Sequence, residues 1–214
     1  MITSEGVTRE MADKIPDIVV GRLPKYLQAL MYLHQAGQKT TSSQEMGEKV
    51  GISAAQIRKD LSLFGEFGKQ GTGYSIPFLI EQLQQILKVN RAWDMVLVGA
   101  GDLGHAIGRY AGFSNRGFRI VMVFDNNPKK VGNKIGEHVV QDIAEMEARI
   151  RAARVEIAML TVPASAAQEA TNALVRAGVR AILNYAPITL SVPDNVRVEA
   201  IDPILRLQHM TYYL

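Results

Sequence analysis

The run Val96-Leu97-Val98-Gly99-Ala100-Gly101-Asp102-Leu103-Gly104 reads as a buried strand that enters a glycine turn and leaves as a helix. Gly99, Gly101 and Gly104 stand in G-x-G-x-x-G spacing. The first glycine makes the turn tight, the second admits a pyrophosphate close to the backbone, and the third lets the helix pack on the strand. The free N–H groups and the positive dipole end of that helix then face the phosphates. A second apolar run, Ile120-Val121-Met122-Val123-Phe124, ends in Asp125. That is where a dinucleotide-binding unit places the acid that holds the ribose hydroxyls. A carboxylate here repels a 2′-phosphate, and Asn126-Asn127 brings no adjacent arginine, so the expected ligand is NAD(H) rather than NADP(H). The glycine spacing alone is a loose pattern; its context sharpens it.

Downstream, Ile157-Ala158-Met159-Leu160-Thr161 and Ala181-Ile182-Leu183 read as strands around an alanine-rich helix over 164–177. Thr161-Val162-Pro163 and Asn184-Tyr185-Ala186 lie at the carboxyl ends of those strands, where open α/β sheets bind ligands. With Gly99, Ala100, Gly101, Asp102, Leu103, Gly104, Asp125 and Asn126 they make up the expected cofactor site. A last strand over 196–200 precedes an apolar tail. Strands alternating with helices predict a doubly wound parallel sheet over residues 89–200.

The 214 residues leave room for a second domain, and the composition, 47% hydrophobic and 21% charged, is that of a globular chain. No cysteine is present, which excludes disulfides and thiolate metal sites. The four histidines show no metal-ligand spacing, so no metal is expected. Met1 to Val20 carries scattered acids and no long apolar core, and no run reaches membrane-spanning length. The expected location is therefore cytoplasmic, with no membrane partner. Net charge is +3, and residues 1–88 hold ten basic against nine acidic side chains. Any nucleic-acid contact must come from a local patch.

Such a patch is visible. Pro24 opens a helix bearing Tyr26, Leu27, Leu30, Met31 and His34 at helical spacing. Ser42-x-x-Glu45 and Ser53-x-x-Gln56 are capping boxes for two short helices joined through Gly51, the spacing of a helix-turn-helix. The second helix presents Ser53, Ala54, Gln56, Arg58 and Lys59 at or near its start. The small residues permit close approach, Gln56 and Arg58 suit base edges, and Lys59 suits phosphate. A glycine-dense segment follows, with Lys69, Gly71 and Gly73 placed to make a wing whose backbone nears the duplex. An ordinary helical hairpin with a solvated basic face is the competing reading of the helix pair. Residues 1–88 are read as a winged-helix DNA-binding domain, and residues 76–89 as an amphipathic connector with Trp93 packed at the join.

The run Arg58-Lys59-Asp60-Leu61-Ser62-x-Phe64-Gly65-x-Phe67-Gly68-x-x-Gly71-x-Gly73-Tyr74 resembles the Rex family of redox-sensing transcriptional repressors. The resemblance extends to Arg22-Leu23-Pro24-x-Tyr26, Tyr110-x-Gly112-Phe113, Thr161-Val162-Pro163-Ala164 and Ile182-Leu183-Asn184-Tyr185-Ala186-Pro187, and so to nearly the whole chain. It implies a homodimer on an inverted-repeat operator in double-stranded DNA, with NADH or NAD⁺ as an effector that is not consumed. It implies further that the tail helix, residues 201–214, is exchanged between subunits, and that Arg22, Tyr110 and Asp202 couple the DNA and cofactor sites. Pro203 departs from relatives that carry an aromatic there. The chain is not expected to be an enzyme, because little remains beyond the nucleotide domain and no Tyr-x-x-x-Lys occurs. A small NAD-dependent dehydrogenase, or a repressor that answers to another nucleotide or an acyl-CoA, stays open on the residues alone.

Overall fold

The computed structural model describes residues 15–69 and 73–214, except the side chain of Lys69. The chain divides into two compact units, one up to Arg91 and one from Ala92.

The first unit is helical with a small sheet. A short helix α1 (Asp17–Val20) leads into α2 (Leu23–Gln35), followed by α3 (Ser43–Val50) and α4 (Ala54–Ser62). Both predicted caps form: the Ser42 hydroxyl accepts the Glu45 N–H at 3.1 Å and the Ser53 hydroxyl accepts the Gln56 N–H at 3.2 Å. Gly51 closes α3 in the left-handed region, at φ +68°, a conformation that costs glycine little. Gly47 fixes the close approach, since a Cβ there would strike the Ile52 carbonyl oxygen. Strands β1 (Thr40–Thr41), β2 (Gly68–Lys69) and β3 (Gly73–Ser75) pair antiparallel in the order β1-β3-β2, a minimal wing. Helix α5 (Ile76–Ile86) follows. The core gathers Leu23, Tyr26, Leu30, Met46, Ile57, Leu79 and Leu83, all essentially buried. His34, expected on the apolar stripe of α2, is exposed in its last turn, where a histidine faces the carbonyl end of the helix dipole.

The second unit carries β4 (Trp93–Val98), α6 (Asp102–Gly108), β5 (Phe118–Asp125), β6 (Lys134–Ile135), β7 (His138–Asp142), α7 (Met146–Ala153), β8 (Ile157–Leu160), α8 (Ala164–Ala177), β9 (Ala181–Asn184), β10 (Arg197–Ala200) and α9 (Pro203–Thr211). The sheet order is β10-β9-β8-β4-β5-β7-β6, parallel except for the β6–β7 edge hairpin. Apart from that hairpin it is the doubly wound dinucleotide-binding order, with its switch point between β4 and β8. Alternate residues of β4 face opposite cores: Val96 and Val98 join Met146, Ile150, Ala170 and Leu174, while Met95 and Leu97 join Ile107, Ile135 and Val140. Burial on both faces explains why these strands read as continuous apolar runs. Trp93 opens β4, its N–H bonded to the Gly117 carbonyl. Among the described residues no helix is long and apolar enough to cross a membrane, and no cluster of His, Asp or Glu could hold a metal.

Candidate functional site

A cleft of about 780 Å³ opens at the carboxyl ends of β4, β5 and β8, within the usual size range for small-molecule sites. Its floor is built by the glycine turn. Gly99 has φ +105°, and a Cβ there would lie 2.6 Å from the Thr161 carbonyl oxygen. Thr161 ties the turn to β8: its hydroxyl donates to the carbonyls of Gly99 at 2.8 Å and Val98 at 3.1 Å. A Cβ on Gly104 would strike the Gly99 carbonyl, so two of the three glycines are required by the fold itself. Gly101 is different. It has an ordinary φ of −80° and nothing within 4 Å of where its Cβ would be. Neither backbone strain nor protein packing asks for glycine there; Gly101 is the N-cap of α6, a position that favours glycine over alanine, and its backbone is open to the cleft.

Asp125 closes the turn from β5. Its residue is 6% exposed. One carboxylate oxygen accepts the Ala100 N–H at 2.6 Å and the Lys130 ammonium at 3.3 Å; the other accepts the Asn127 N–H at 2.8 Å. Burial pushes its pKa up, yet the two backbone N–H groups and Lys130 outweigh burial and hold it below the ordinary value. The acid thus braces the glycine turn and keeps one lone pair for a further donor. Burial also pushes the Tyr185 phenol up.

Of the residues predicted for the cofactor, Gly99, Gly101, Asp102, Leu103, Asp125, Asn126, Thr161, Val162, Pro163 and Tyr185 line this cleft. Ala100, Gly104, Asn184 and Ala186 are not on its wall; they are buried beneath it. Asn184 spends its amide on its own loop, accepting the Ala186 N–H at 2.9 Å and donating to the Ala186 and Ile188 carbonyls, each at 3.0 Å. These bonds shape the turn that presents Tyr185. Sequence reading missed Lys130, Met146 and the face of α8 formed by Ala166, Glu169, Ala170, Ala173 and Arg176. That face was legible as a helical stripe starting just after Pro163.

In the first unit, Ser53 caps α4, Ala54 is half-buried, and Arg58 and Lys59 are exposed. Two of the expected base readers have intramolecular partners: Gln56 donates to Asp60 at 2.6 Å and Arg58 to the Ser43 hydroxyl at 2.9 Å. Gly73 sits at φ +72° against the Thr41 carbonyl, so strand pairing requires it. Gly71 lies outside the described residues, as does the side chain of Lys69. Arg22 is half-buried and paired to Asp60. In the second unit Tyr110 is 55% exposed and stacks edge-on against Phe113 with ring centres 5.1 Å apart. Asp202 caps α9 by accepting the Ile204 N–H at 2.9 Å.

Two family models match the chain: a putative DNA-binding protein N-terminus over residues 14–62 and a CoA binding domain over residues 90–188. The redox-sensing transcriptional repressor Rex of Chloroflexus aggregans is 50% identical over 205 residues, covering 96% of this chain and 97% of the relative. Its counterpart from a Roseiflexus species is 52% identical over 199 residues, covering 93% and 90%. The chain belongs to the Rex family. Among solved Rex-family structures, that of RSP with β-NAD⁺ and operator DNA superposes with a TM-score of 0.88 at 39% identity, covering 93% of this chain and 92% of that one. RSP with β-NADH gives 0.85 at 36% identity, with 94% of each chain covered. The Rex fold is thus an N-terminal winged helix-turn-helix followed by a Rossmann-like parallel sheet. The Rex relatives named here are repressors rather than enzymes, and the dehydrogenase alternative has no counterpart among them.

Proposed function

We propose that this chain is a DNA-binding transcriptional repressor that senses the NADH/NAD⁺ ratio. The observation that carries the reading is the cleft at the sheet's switch point, where the backbone of Gly101 faces open space wide enough for a ligand to lie against it. Gly99, Gly101, Asp102 and Leu103 lie along the pyrophosphate path; Asp125 and Asn126 take the adenosine ribose; Thr161, Val162, Pro163 and Tyr185 border the nicotinamide half. Ala100, Gly104, Asn184 and Ala186 support these groups from beneath. The reduced nicotinamide ring is neutral and the oxidised ring is cationic, so an apolar enclosure favours NADH by desolvation.

DNA recognition falls to α4 and the wing. Ser53, Ala54, Gln56, Arg58 and Lys59 come from the helix, and Lys69, Gly71 and Gly73 from the wing. The protein acts as a homodimer, whose two-fold axis matches an inverted repeat. The apolar α9 supplies the dimer contact: every residue from Pro203 to Leu214 is exposed, among them Ile204, Leu205, Leu207, Met210 and Tyr213. An apolar helix left exposed among the described residues is suited to exchange with a second copy. Arg22, Tyr110 and Asp202 connect the two sites. The protein works in the cytoplasm, where operator and nucleotide pool meet.

Nuclease footprinting on an inverted-repeat operator tests this reading. Protection is expected with NAD⁺ present and is lost at micromolar NADH. Protection unaffected by either nucleotide would assign the cleft to another ligand, and no footprint on any repeat would remove the repressor reading itself.

A further inference from the structure

Asp60 belongs to helix α4, yet its residue is 0% exposed. Its carboxylate accepts four hydrogen bonds: from Arg22 Nε at 2.6 Å and Arg22 Nη2 at 2.7 Å, from the Tyr26 hydroxyl at 2.6 Å, and from Gln56 Nε2 at 2.6 Å. A buried carboxylate is costly unless it is paired and fully hydrogen-bonded, and this one is. Burial pushes its pKa up, but Arg22, Tyr26 and Gln56 together hold it below the ordinary value; burial and the hydrogen bond to Asp60 push the Tyr26 phenol up, against the opposing charge of Arg22.

The charge state has a geometric consequence. An ionised carboxylate only accepts, so Gln56 must turn its amide nitrogen towards Asp60. That leaves the Gln56 carbonyl oxygen and its second N–H for other partners. Those two atoms are the pair with which glutamine reads adenine bidentately. On the other side of the carboxylate is Arg22, at the start of α2, with 19% of its side chain exposed against 1% for Asp60. The knot therefore joins the first turn of α4 to the first turn of α2 through a single buried group.

We propose that Asp60 is a positioning residue for base recognition, locking α4 onto α2 and fixing which atoms of Gln56 face the DNA. This rests on α4 being the recognition helix, as proposed above. Fixing the side chain before DNA arrives removes rotamer freedom that binding would otherwise have to freeze. It also means that any partner drawing Arg22 off the carboxylate acts directly on the recognition helix.

The test uses the full-length protein and an operator selected by the wild type from random duplexes. Affinity for that operator and for an unrelated duplex of equal length is measured at one salt concentration. The variants are Asp60→Asn, Gln56→Ala, the double variant, and Tyr26→Phe, with melting temperatures alongside. Asp60→Asn and Gln56→Ala should each lower the operator-to-unrelated ratio by about tenfold. The double variant should lose no more than the larger single loss, because both remove the same oriented amide. Affinity for the unrelated duplex should hold, since phosphate contacts carry no sequence information. An unchanged ratio in Asp60→Asn, or losses that add in the double variant, would overturn the proposal. Should Asp60→Asn fail to fold, a protein with Asp60→Leu and Arg22→Leu together, which replaces the buried pair by apolar groups and removes the acceptor that orients Gln56, decides by the same two criteria, alone and combined with Gln56→Ala. Tyr26→Phe, which leaves the carboxylate in place, should keep the wild-type ratio. A wild type that selects no sequence would instead refute the function proposed above.

Discussion

At the scale of single residues, the three glycines of the fingerprint divide into two kinds. Gly99 and Gly104 are held by the chain's own carbonyls, whereas Gly101 faces open space. Gly104→Ala should therefore destabilise the second unit by about 2 kcal/mol or more, because the obstacle is backbone that cannot swing aside. Gly101→Ala, which costs only the N-cap preference of α6, should destabilise the second unit far less than Gly104→Ala and weaken NADH binding at least tenfold by calorimetry. A Gly101→Ala protein with wild-type NADH affinity would remove the phosphate-path reading of that turn. Asp60 supports a second prediction. Its pKa in the folded protein lies below the ordinary 3.8, so its pairing contributes stability above that value and loses it as pH falls through the lower folded value. Acid unfolding of the wild type should show a loss of stability below about pH 4 that Asp60→Asn largely lacks; identical acid limbs would contradict the assignment. In sequence, Asp60 looks like one more surface charge beside Arg58 and Lys59. Its burial depends on Arg22, 38 residues away, a separation at which no local pattern gives warning.

At the scale of elements, the strands of the second unit were legible because both faces are covered, which makes them continuous apolar runs. Helices α3, α4 and α8 were legible from caps and terminal glycines. The β6–β7 edge hairpin escaped notice, since a two-residue strand has no periodicity to read. Lys130 escaped with it: it reaches Asp125 only because the loop after β5 folds back on that strand's end. The tail was legible as apolar but not as to what covers it, and among the described residues every residue of α9 is exposed. Deleting residues 201–214 should therefore leave both units folded, as judged by circular dichroism and cooperative melting. It should also convert the dimer to a monomer in analytical ultracentrifugation and lower operator affinity. A truncated protein that stays dimeric at the same concentration would place the dimer contact elsewhere.

At the scale of the whole molecule, one chain carries a DNA-reading unit and a nucleotide-reading unit, and each answers to the other. Linkage makes that relation reciprocal: if NADH weakens operator binding by some factor, operator must weaken NADH binding by the same factor. To move an operator from almost fully bound to almost fully free, NADH must favour the released state by about 5.5 kcal/mol. Two nucleotide sites per dimer bring that within reach of ordinary affinities. The most direct measurement is fluorescence anisotropy of a labelled inverted-repeat operator held by the protein at fixed salt, with NADH titrated into one sample and NAD⁺ into another. The account predicts that micromolar NADH releases the DNA while NAD⁺ at the same concentration leaves it bound. Release by both nucleotides alike, or by neither, would contradict it.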